Sequence, residues 1–331
     1  MKKRILALLL AVTTAFALTA CGSGNTTASS GSASTASTAS DPNFKGETIK
    51  IAYLPITHAL AVFEAAEELK DNPDVRVELV KYGSWTELMD ALNTGNVDGA
   101  SVLVELAMKS KQEGIGLKAV ALGHKDGNVI VASDKVQSAE DLKGKTIAIP
   151  HRQSSHNILV NLELAKANLT VNDIKITELA PTEMPSALAS GQIDGYCVAE
   201  PFGAQAVSLG VGHVLDTSES LWPDSLCCAL VMTDDYLNNH KESADKFIAA
   251  YKTAGANLNK DNELTVAEQY LGQDADVLKT SLEWISYDDL DITQDIYNSL
   301  VEKVKTYGLS DNPPTYEDFV YQASEGKQCT P

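Results

Sequence analysis

Apolar residues along this chain follow two alternating spacings. Four short runs rich in β-branched residues have the length and composition of buried strands, and they cover residues 48–55, 75–82, 145–150 and 174–179. Between them, stretches such as ALAVFEAAEELK and NILVNLELAKANL place apolar residues every three or four positions, which predicts amphipathic helices. Strands that alternate with helices in this way predict an α/β fold built on parallel sheets.

One sixteen-residue pattern occurs twice in the chain. Residues 87–102 (ELMDALNTGNVDGASV) and 183–198 (EMPSALASGQIDGYCV) align without a gap at an offset of 96 positions. Each copy predicts a short helix followed by a strand. Gly95 and Gly191 are placed to end the two helices, and Ser84 and Thr182 to begin them. With the strands and helices upstream, each copy completes a β-α-β-α-β unit.

Two such units indicate two related α/β domains that face each other across a cleft. Ligands of open α/β sheets bind beyond the carboxyl ends of the strands, so both domains would present binding loops to one ligand. We expect residues 46–132 and 228–325 to form domain 1 and residues 133–227 to form domain 2. Domain 1 would then be discontinuous, with two segments that cross between the domains.

The amino-terminal segment has the features of a lipoprotein leader. Residues 2–4 are basic, residues 5–18 are mostly apolar, and the sequence Leu-Thr-Ala-Cys at 18–21 resembles a bacterial lipobox. We therefore expect a signal peptide over residues 1–20 and a lipid on Cys21. Residues 21–45 would be a flexible linker rich in Ser, Thr, Gly and Ala. The folded part would then be held by lipid at the outer face of the cell membrane.

Charge and cysteine usage exclude several classes of function. Removal of residues 2–4 changes the net charge from −19 to −22, so nucleic acid is excluded as a partner. Four further cysteines, Cys197, Cys227, Cys228 and Cys329, show neither a disulfide framework nor zinc-site spacing. Cys227 and Cys228 lie in the apolar run LCCALVM and are interpreted as buried thiols on a strand. We expect no metal and no cofactor.

Several motifs together resemble the solute receptors of ABC importers. The stretches IAYLPITHA, SAEDLKGKTIAIPHRQSSHNILV and, most specifically, IDGYCVAEPFGAQAV (193–207) are similar to the nitrate/sulfonate/bicarbonate (and taurine) receptor family. The resemblance covers residues 47 to about 320. It implies a two-domain periplasmic-binding-protein fold of type II and capture of a small solute without catalysis. A permease and its ATPase subunits are the implied partners, and a monomer is expected.

Candidate ligand-binding residues lie where the predicted strands end. In domain 1 they are Thr57 and His58 after the first strand, Trp85 after the second, and His124 further along the chain. His58 could instead cap the following helix, and Trp85 could serve as a hydrophobic staple rather than as a stacking wall for the ligand.

In domain 2 the densest group of candidates is the loop HRQSSH. His151, Arg152, Ser154 and Ser155 are predicted to bind an oxyanion, with Arg152 as a planar cation and the serines as donors. The alternatives are a salt bridge from Arg152 that closes the domains and helix capping by Ser155. Glu200, in the motif AEPF, would either contact the ligand or pair with Arg152.

Three readings of the function stay open. The first is a receptor for a small anion of alkanesulfonate, nitrate or bicarbonate type, and the second is a receptor for a neutral heterocycle such as a pyrimidine precursor. The third is an enzyme on the same fold, a pyrimidine-precursor synthase or a chorismate-dehydratase-like protein, although no recognised catalytic motif is present. A lipid-anchored sensor would fit the same residues as the transport receptor.

Overall fold

The structure is a computed structural model that describes residues 34–35 and 44–322. The predicted signal peptide, Cys21, most of the predicted linker and Cys329 lie outside the described residues. Thirteen strands follow one another along the described chain: β1 Ser34–Thr35, β2 Glu47–Tyr53, β3 Val75–Lys81, β4 Gly99–Leu103, β5 Leu117–Leu122, β6 Lys125–Asp126, β7 Asn128–Ala132, β8 Thr146–Ile149, β9 Lys175–Glu178, β10 Gly195–Ala199, β11 His213–Thr217, β12 Cys228–Thr233 and β13 Ile285–Ser286.

Thirteen α-helices in the described residues connect and cover these strands: α1 Leu60–Glu68, α2 Trp85–Asn93, α3 Val104–Gln112, α4 Ser155–Lys166, α5 Met184–Ala189, α6 Phe202–Ser208, α7 Ser218–Leu221, α8 Asp234–Asn239, α9 Lys241–Asn257, α10 Glu263–Leu271, α11 Ala275–Leu282, α12 Gln294–Thr306 and α13 Tyr316–Phe319. The carboxyl-terminal third is helical, as its 3.6-residue periodicity predicts. None of the helices in this described part is long and apolar enough to cross a membrane.

The strands form two large sheets. The first has the order β1-β3-β2-β4-β12-β5, and the second has the order β11-β7-β10-β8-β9. Within each β-α-β-α-β unit the strands are parallel, since β2 pairs in parallel with β3 and β4, and β8 pairs in parallel with β9 and β10. A small antiparallel pair, β13 and β6, completes the pairing. The two copies of the sequence repeat therefore lie in separate sheets, and the predicted α/β fold is confirmed.

Each large sheet also contains an antiparallel strand at a crossing of the chain. Strand β12 runs antiparallel between β4 and β5 in the first sheet, while β7 runs antiparallel between β10 and β11 in the second. The expected domain 1 includes residues 128–132, whereas these residues form β7 and pair with β10 and β11 of the second sheet. The apolar run of β7, NVIVA, identifies a buried strand but does not specify which sheet receives it. The domain boundaries themselves stay a prediction.

The helix ends of the repeat follow local chemistry. The Ser84 hydroxyl accepts a hydrogen bond from the Glu87 N–H at 3.3 Å and begins α2, as predicted. Gly95 and Gly191 adopt positive φ angles of 70° and 72° directly after α2 and α5, where a residue with a Cβ would be strained. The predicted cap at Thr182 is wrong. That residue lies inside a 3-10 turn that begins at the proline preceding it, and α5 follows this turn.

Candidate functional site

Buried polar side chains gather where the strands of both sheets end. Such residues are rare in a protein interior unless they are paired or functional. In the first sheet, polar residues follow strands β2, β4 and β5. In the second sheet, polar residues follow strands β8 and β10. The fully buried members of this set are Thr57, His58, Glu105, His124, Asn128, Ser155, His156 and Glu200. This is the position at which open α/β sheets bind their ligands.

Two thiols stand at the centre of this group. Cys227 directly precedes β12 and Cys228 begins it, and their Sγ atoms lie 4.0 Å apart. The Cys228 Sγ is 3.4 Å from His58 Nδ1, and the Cys227 Sγ is 3.7 Å from Asn128 Oδ1. The imidazole of His58 stacks on that of His124, with ring centroids 3.5 Å apart. The two thiols and these side chains therefore form one compact group.

Glu105 and His156 complete the group. Glu105 lies in the first turn of α3, after β4, and His156 lies in the first turn of α4, after β8. Both interact electrostatically with the Cys227 thiol. The carboxyl oxygens of Glu105 and the ring nitrogens of His156 find no hydrogen-bond partner among residues 44–322. We call the resulting set the central cluster; it comprises His58, Glu105, His124, Asn128, His156, Cys227 and Cys228.

Both sheets contribute to the central cluster. His58, Glu105, His124 and the two cysteines come from loops and helices of the first sheet, whereas Asn128 and His156 come from the second. The His58 Nε2 lies 3.1 Å from the carbonyl oxygen of Gly127, at the crossing between the sheets. A molecule bound to the cluster would therefore contact both sheets at once.

The electrostatics of the central cluster favour neutral imidazoles. Burial is the main cause that lowers the pKa of His124 and of His156, each to about 4. Both rings are therefore neutral near pH 7. The cluster as defined contains no lysine or arginine, and the imidazoles of His124 and His156 offer neutral donors and lone pairs rather than positive charge.

The acidic members of the cluster shift in opposite directions. Burial raises the pKa of Glu105 well above its ordinary value, although the amide at the start of α4 partly offsets this. Burial also raises the pKa of Cys228. For Cys227 burial raises the pKa too, but the neighbouring thiol and the three imidazoles outweigh it and hold this pKa well below the ordinary value. The neutral forms of the Glu105 carboxyl and the Cys228 thiol, and the ionised form of the Cys227 thiol, are therefore favoured.

Thr57 and Glu200 join the two halves beside the cluster. The N–H and hydroxyl of Thr57 both donate to the carbonyl oxygen of Glu200, at 2.9 and 3.1 Å, and the Tyr287 hydroxyl donates to the Thr57 carbonyl at 2.7 Å. Thr57, one of the predicted ligand residues, thus uses its polar groups in a contact between the first and second sheets. Its hydroxyl is already occupied as a donor.

The Glu200 carboxyl is held by its own surroundings. Its Oε2 accepts hydrogen bonds from the Ala204 N–H at 3.1 Å and the Ser281 hydroxyl at 2.8 Å. Of the two alternatives for Glu200, the pairing with Arg152 is not observed: these two donors occupy Oε2, and the Arg152 guanidinium donates to the Ile176 carbonyl. The other oxygen, Oε1, has no hydrogen-bond partner within the described chain. Burial raises the pKa of Glu200 to about 7, against the lowering effect of the two hydrogen bonds.

The structure divides the HRQSSH loop into an outer and an inner part. Arg152 is exposed, and its guanidinium donates to the carbonyl oxygen of Ile176 at 2.9 Å. His151 is half-buried, and its Nδ1 accepts the Gln153 N–H at 2.9 Å. The local backbone and the neighbouring strand thus engage polar groups of both predicted ligand residues, whose role in binding stays a prediction.

The inner part of the loop begins helix α4. The Ser154 hydroxyl is the N-cap and accepts a hydrogen bond from the Asn157 N–H at 3.4 Å. Ser155, which the sequence offered as an alternative cap, is instead the first helical residue. Its hydroxyl is buried without a hydrogen-bond partner in the part of the chain that is described. Of the two serines predicted to bind the ligand, Ser155 is therefore the one whose hydroxyl has no hydrogen-bond partner within the described chain.

Trp85 is buried rather than open to a cleft. It is the first residue of α2, only 3% of its surface is exposed, and its indole N–H lacks a partner within residues 44–322. The structure thus fits the wall or the staple role equally at this position. Its assignment as a ligand residue stays a prediction.

The predicted ligand residues do not include Glu105, Asn128, Cys227 and Cys228, and His156 entered the prediction only as part of the HRQSSH loop, yet the structure places all five in the central cluster. The two cysteines are buried at the start of a strand, as predicted. Their position was nevertheless informative, because they begin the strand that returns to the first sheet, next to the predicted cleft. The donor atoms of His58, His124, Cys227 and Cys228 lie within 4.8 Å of one another, close enough to hold a metal ion.

Comparisons with known proteins identify the family of the chain. A family model described as NMT1-like matches residues 43–271. Among solved structures, a zinc-bound ligand-binding component of an ABC-type import system from Staphylococcus aureus is 40% identical. It superposes with a TM-score of 0.80, over 83% of this chain and 96% of that one.

The periplasmic nitrate-binding protein NrtA of Synechocystis shares the fold at a TM-score of 0.71 and 18% identity, over 80% of this chain and 83% of that one. This likeness confirms a periplasmic-binding-protein fold.

Curated relatives bear the names of nitrate, bicarbonate and sulfonate proteins. The nitrate import ATP-binding protein NrtC of Synechocystis is 27% identical over 215 residues, which are 58% of this chain and 32% of that protein. Others are bicarbonate transport and aliphatic-sulfonate-binding proteins. The chain spans only about a third of the length of the first of these relatives. The resemblance drawn from the sequence motifs is nevertheless confirmed.

Proposed function

Because the chain belongs to the NMT1-like family, we propose that it is the solute-binding component of an ABC importer. The solute would occupy the central cluster between the two sheets, and the loaded protein would deliver it to a permease with ATPase subunits. The S. aureus structure supports this role, since it is described as the ligand-binding component of such a system. The related proteins of known structure are binding proteins rather than enzymes, and the proposal includes no catalytic step.

One observation carries the proposal: several buried polar groups from both sheets have no hydrogen-bond partner in the described part of the chain. The Asn128 side-chain nitrogen, the Ser155 hydroxyl, the His156 imidazole, both carboxyl oxygens of Glu105 and one of Glu200 find no hydrogen bond among the described residues. Each unpaired buried group costs about 1–3 kcal/mol. A bound solute that pairs with several of them would stabilise the arrangement in which the sheets meet.

Two classes of solute follow from the relatives' names. Nitrate, bicarbonate and sulfonates are small anions, and the sequence analysis predicted an anion held by Arg152 and the neighbouring serines. The S. aureus structure instead contains zinc. A neutral heterocycle remains a third class, which could hydrogen-bond to the uncharged imidazoles. These classes differ in charge and can be separated by one binding screen.

We expect a thermal-shift screen of the purified protein to identify at least one solute that raises the melting temperature. The screen includes nitrate, bicarbonate, an alkanesulfonate, taurine, a pyrimidine precursor and Zn²⁺. A solute that binds only the folded state, present at about 100 times its Kd, adds roughly 2.7 kcal/mol of stability. His156→Ala should weaken the response, because it removes an unpartnered group in the central cluster.

Arg152→Ala is the matched control in the same screen. The Arg152 guanidinium is exposed and already bonded to a backbone carbonyl, so we expect affinity to change less than about twofold, in line with a surface group. A loss of tenfold or more would instead support the anion site predicted at the HRQSSH loop. If no solute shifts the melting temperature and His156→Ala has no effect, the receptor proposal fails.

Lipid attachment at Cys21 is a further part of the proposed role. Cys21 lies outside the described residues, and the proposal rests on the lipobox-like sequence at 18–21. We expect the wild-type protein to partition into detergent and Cys21→Ser to remain in the aqueous phase. Equal partitioning of the two proteins would contradict the anchor without affecting the solute-binding role.

A further inference from the structure

We propose that the central cluster binds a thiophilic divalent metal ion, Zn²⁺, through Cys227, Cys228, His58 and His124. This inference rests on the proposed function, because the ion would be the solute that the receptor carries. The four ligand atoms come from three separate parts of the chain, which fold together only in the complete protein. Two cysteines and two histidines are a common ligand set for tetrahedral zinc.

The distances fit a tetrahedral site. Zinc–sulfur bonds of about 2.3 Å and zinc–nitrogen bonds of about 2.0–2.1 Å imply about 3.8 Å between the sulfurs and about 3.6 Å between a sulfur and a nitrogen. The observed Sγ–Sγ distance is 4.0 Å, and the distance from His58 Nδ1 to Cys228 Sγ is 3.4 Å. All four donors lie within 4.8 Å of one another, so shifts of about 1 Å would complete the site.

The orientation of His58 also matches that of a metal ligand. Its Nδ1 faces the Cys228 thiol, and its Nε2 lies 3.1 Å from the Gly127 carbonyl oxygen. A carbonyl can only accept, so Nε2 carries the proton and Nδ1 keeps its lone pair for the ion. Histidines that bind metals are usually oriented by such a hydrogen bond from the other ring nitrogen.

The charges around the site favour a cation over an anion. The groups of the cluster that ionise by losing a proton are two thiols and the Glu105 carboxyl, and the cluster as defined has no lysine or arginine. Neither oxygen of Glu105 has a hydrogen-bond partner in residues 44–322, although the side chain is fully buried. A buried carboxyl with no partner is stabilised by a neighbouring cation and destabilised by a neighbouring anion.

His156 supplies an independent indication. Both of its ring nitrogens lack partners within the described residues, although the ring is fully buried close to Cys227 and His58. An imidazole in that position can serve as an additional ligand or can hydrogen-bond to one that the ion carries. When Zn²⁺ binds, two Zn–S bonds form and the thiol protons leave to solvent, so affinity should fall as the pH is lowered.

The test measures Zn²⁺ binding to the full-length protein, stripped with a chelator and kept reduced so that the adjacent thiols cannot form a disulfide. Competition with a chromophoric chelator should give one ion per chain. Cys227→Ala and Cys228→Ala should each weaken binding at least about 100-fold, because each removes one of four ligands. Cys197→Ala is the matched control: Cys197 is a buried thiol on β10 that interacts electrostatically with Cys227 but is not one of the four proposed ligands, so its loss should leave affinity unchanged within about twofold.

A second readout identifies the ligands directly. Co²⁺ in place of Zn²⁺ should give the spectrum of a tetrahedral thiolate site, and the thiolate-to-cobalt band should weaken in both cluster variants but not in Cys197→Ala. Circular dichroism checks that all variants are folded. Zn²⁺ binding that survives both cluster substitutions, or a cobalt spectrum without thiolate bands, overturns the proposal. If Zn²⁺ fails to bind but another solute in the thermal-shift screen does, the metal site is wrong and the receptor function stands.

Discussion

Glu200→Gln is expected to stabilise the unliganded protein relative to wild type by about 3 kcal/mol at pH 8, and by close to nothing at pH 4.5. The Glu200 carboxyl is fully buried and its pKa is about 7, raised from an ordinary value of 4.5. A raised folded-state pKa means that the folded protein holds a proton that the unfolded chain releases. The stability that this proton provides is complete below pH 4.5 and is lost as the pH rises to about 7. A difference of about 2.5 pKa units corresponds to about 3 kcal/mol.

A glutamine side chain at position 200 does not ionise, but it can keep the hydrogen bonds that the carboxyl accepts. Its carbonyl oxygen can accept from the Ala204 N–H and the Ser281 hydroxyl, as Oε2 does in the wild type. Urea denaturation from pH 4.5 to 8 measures the difference, with the exposed Glu302→Gln on α12 as the control. A difference between Glu200→Gln and wild type that does not change with pH would show that the carboxyl ionises normally.

Phe63→Ala is expected to destabilise the protein by about 4 kcal/mol, as large-to-small substitutions of buried aromatic residues do. Phe63 lies on α1 and is fully buried. Its ring stacks on Tyr270 of α10 at 4.5 Å and meets Tyr53 of β2 edge-on at 4.8 Å, so its loss leaves a cavity between a strand and two helices. The midpoint of urea unfolding measures the effect.

Phe63→Leu is the matched control for that cavity. It keeps most of the apolar volume, so we expect a loss of no more than about 1.5 kcal/mol. Because α1 begins directly after the turn that carries His58, the alanine variant should also weaken solute binding at temperatures where it is still folded. Equal stability of Phe63→Ala and wild type would mean that the helix is not fixed by this aromatic contact.

Local patterns in the sequence identified most of the elements correctly. The apolar runs at 48–55 and 75–82 correspond to β2 and β3, and the repeated pattern corresponds to α2–β4 and α5–β10. These predictions succeed because each depends only on residues that are close together in the sequence. The helix ends at Gly95 and Gly191 follow from backbone sterics, and strand burial follows from apolar runs.

The site was harder to predict because it depends on contacts between distant residues. His58 and Cys228 are 170 positions apart, and Asn128 meets Cys227 across 99 positions. Neither spacing resembles a metal or ligand motif. Arg152 shows a second limit of local patterns: it lies at a strand end, as a candidate ligand residue should, but its guanidinium donates to the Ile176 carbonyl of a neighbouring strand, and its role as a ligand residue stays a prediction. The spacing of apolar residues indicates which side chains are buried. The direction of a side chain in a loop depends instead on the residues that surround it in the folded protein.

The position of β12 along the chain affects the order in which the two sheets can fold during synthesis. The strands of the second sheet, β7 to β11, occupy residues 128–217, so a ribosome completes them before it reaches β12 at Cys228. Strands β4 and β5 meet only through β12, and until it is synthesised each keeps an unpaired edge in an apolar environment. The later-encoded sheet can therefore fold first, and the earlier one stays open to chaperones or to mispairing with another nascent chain. Cys227 directly precedes this strand and Cys228 begins it, so the central cluster is completed only when β12 closes the first sheet.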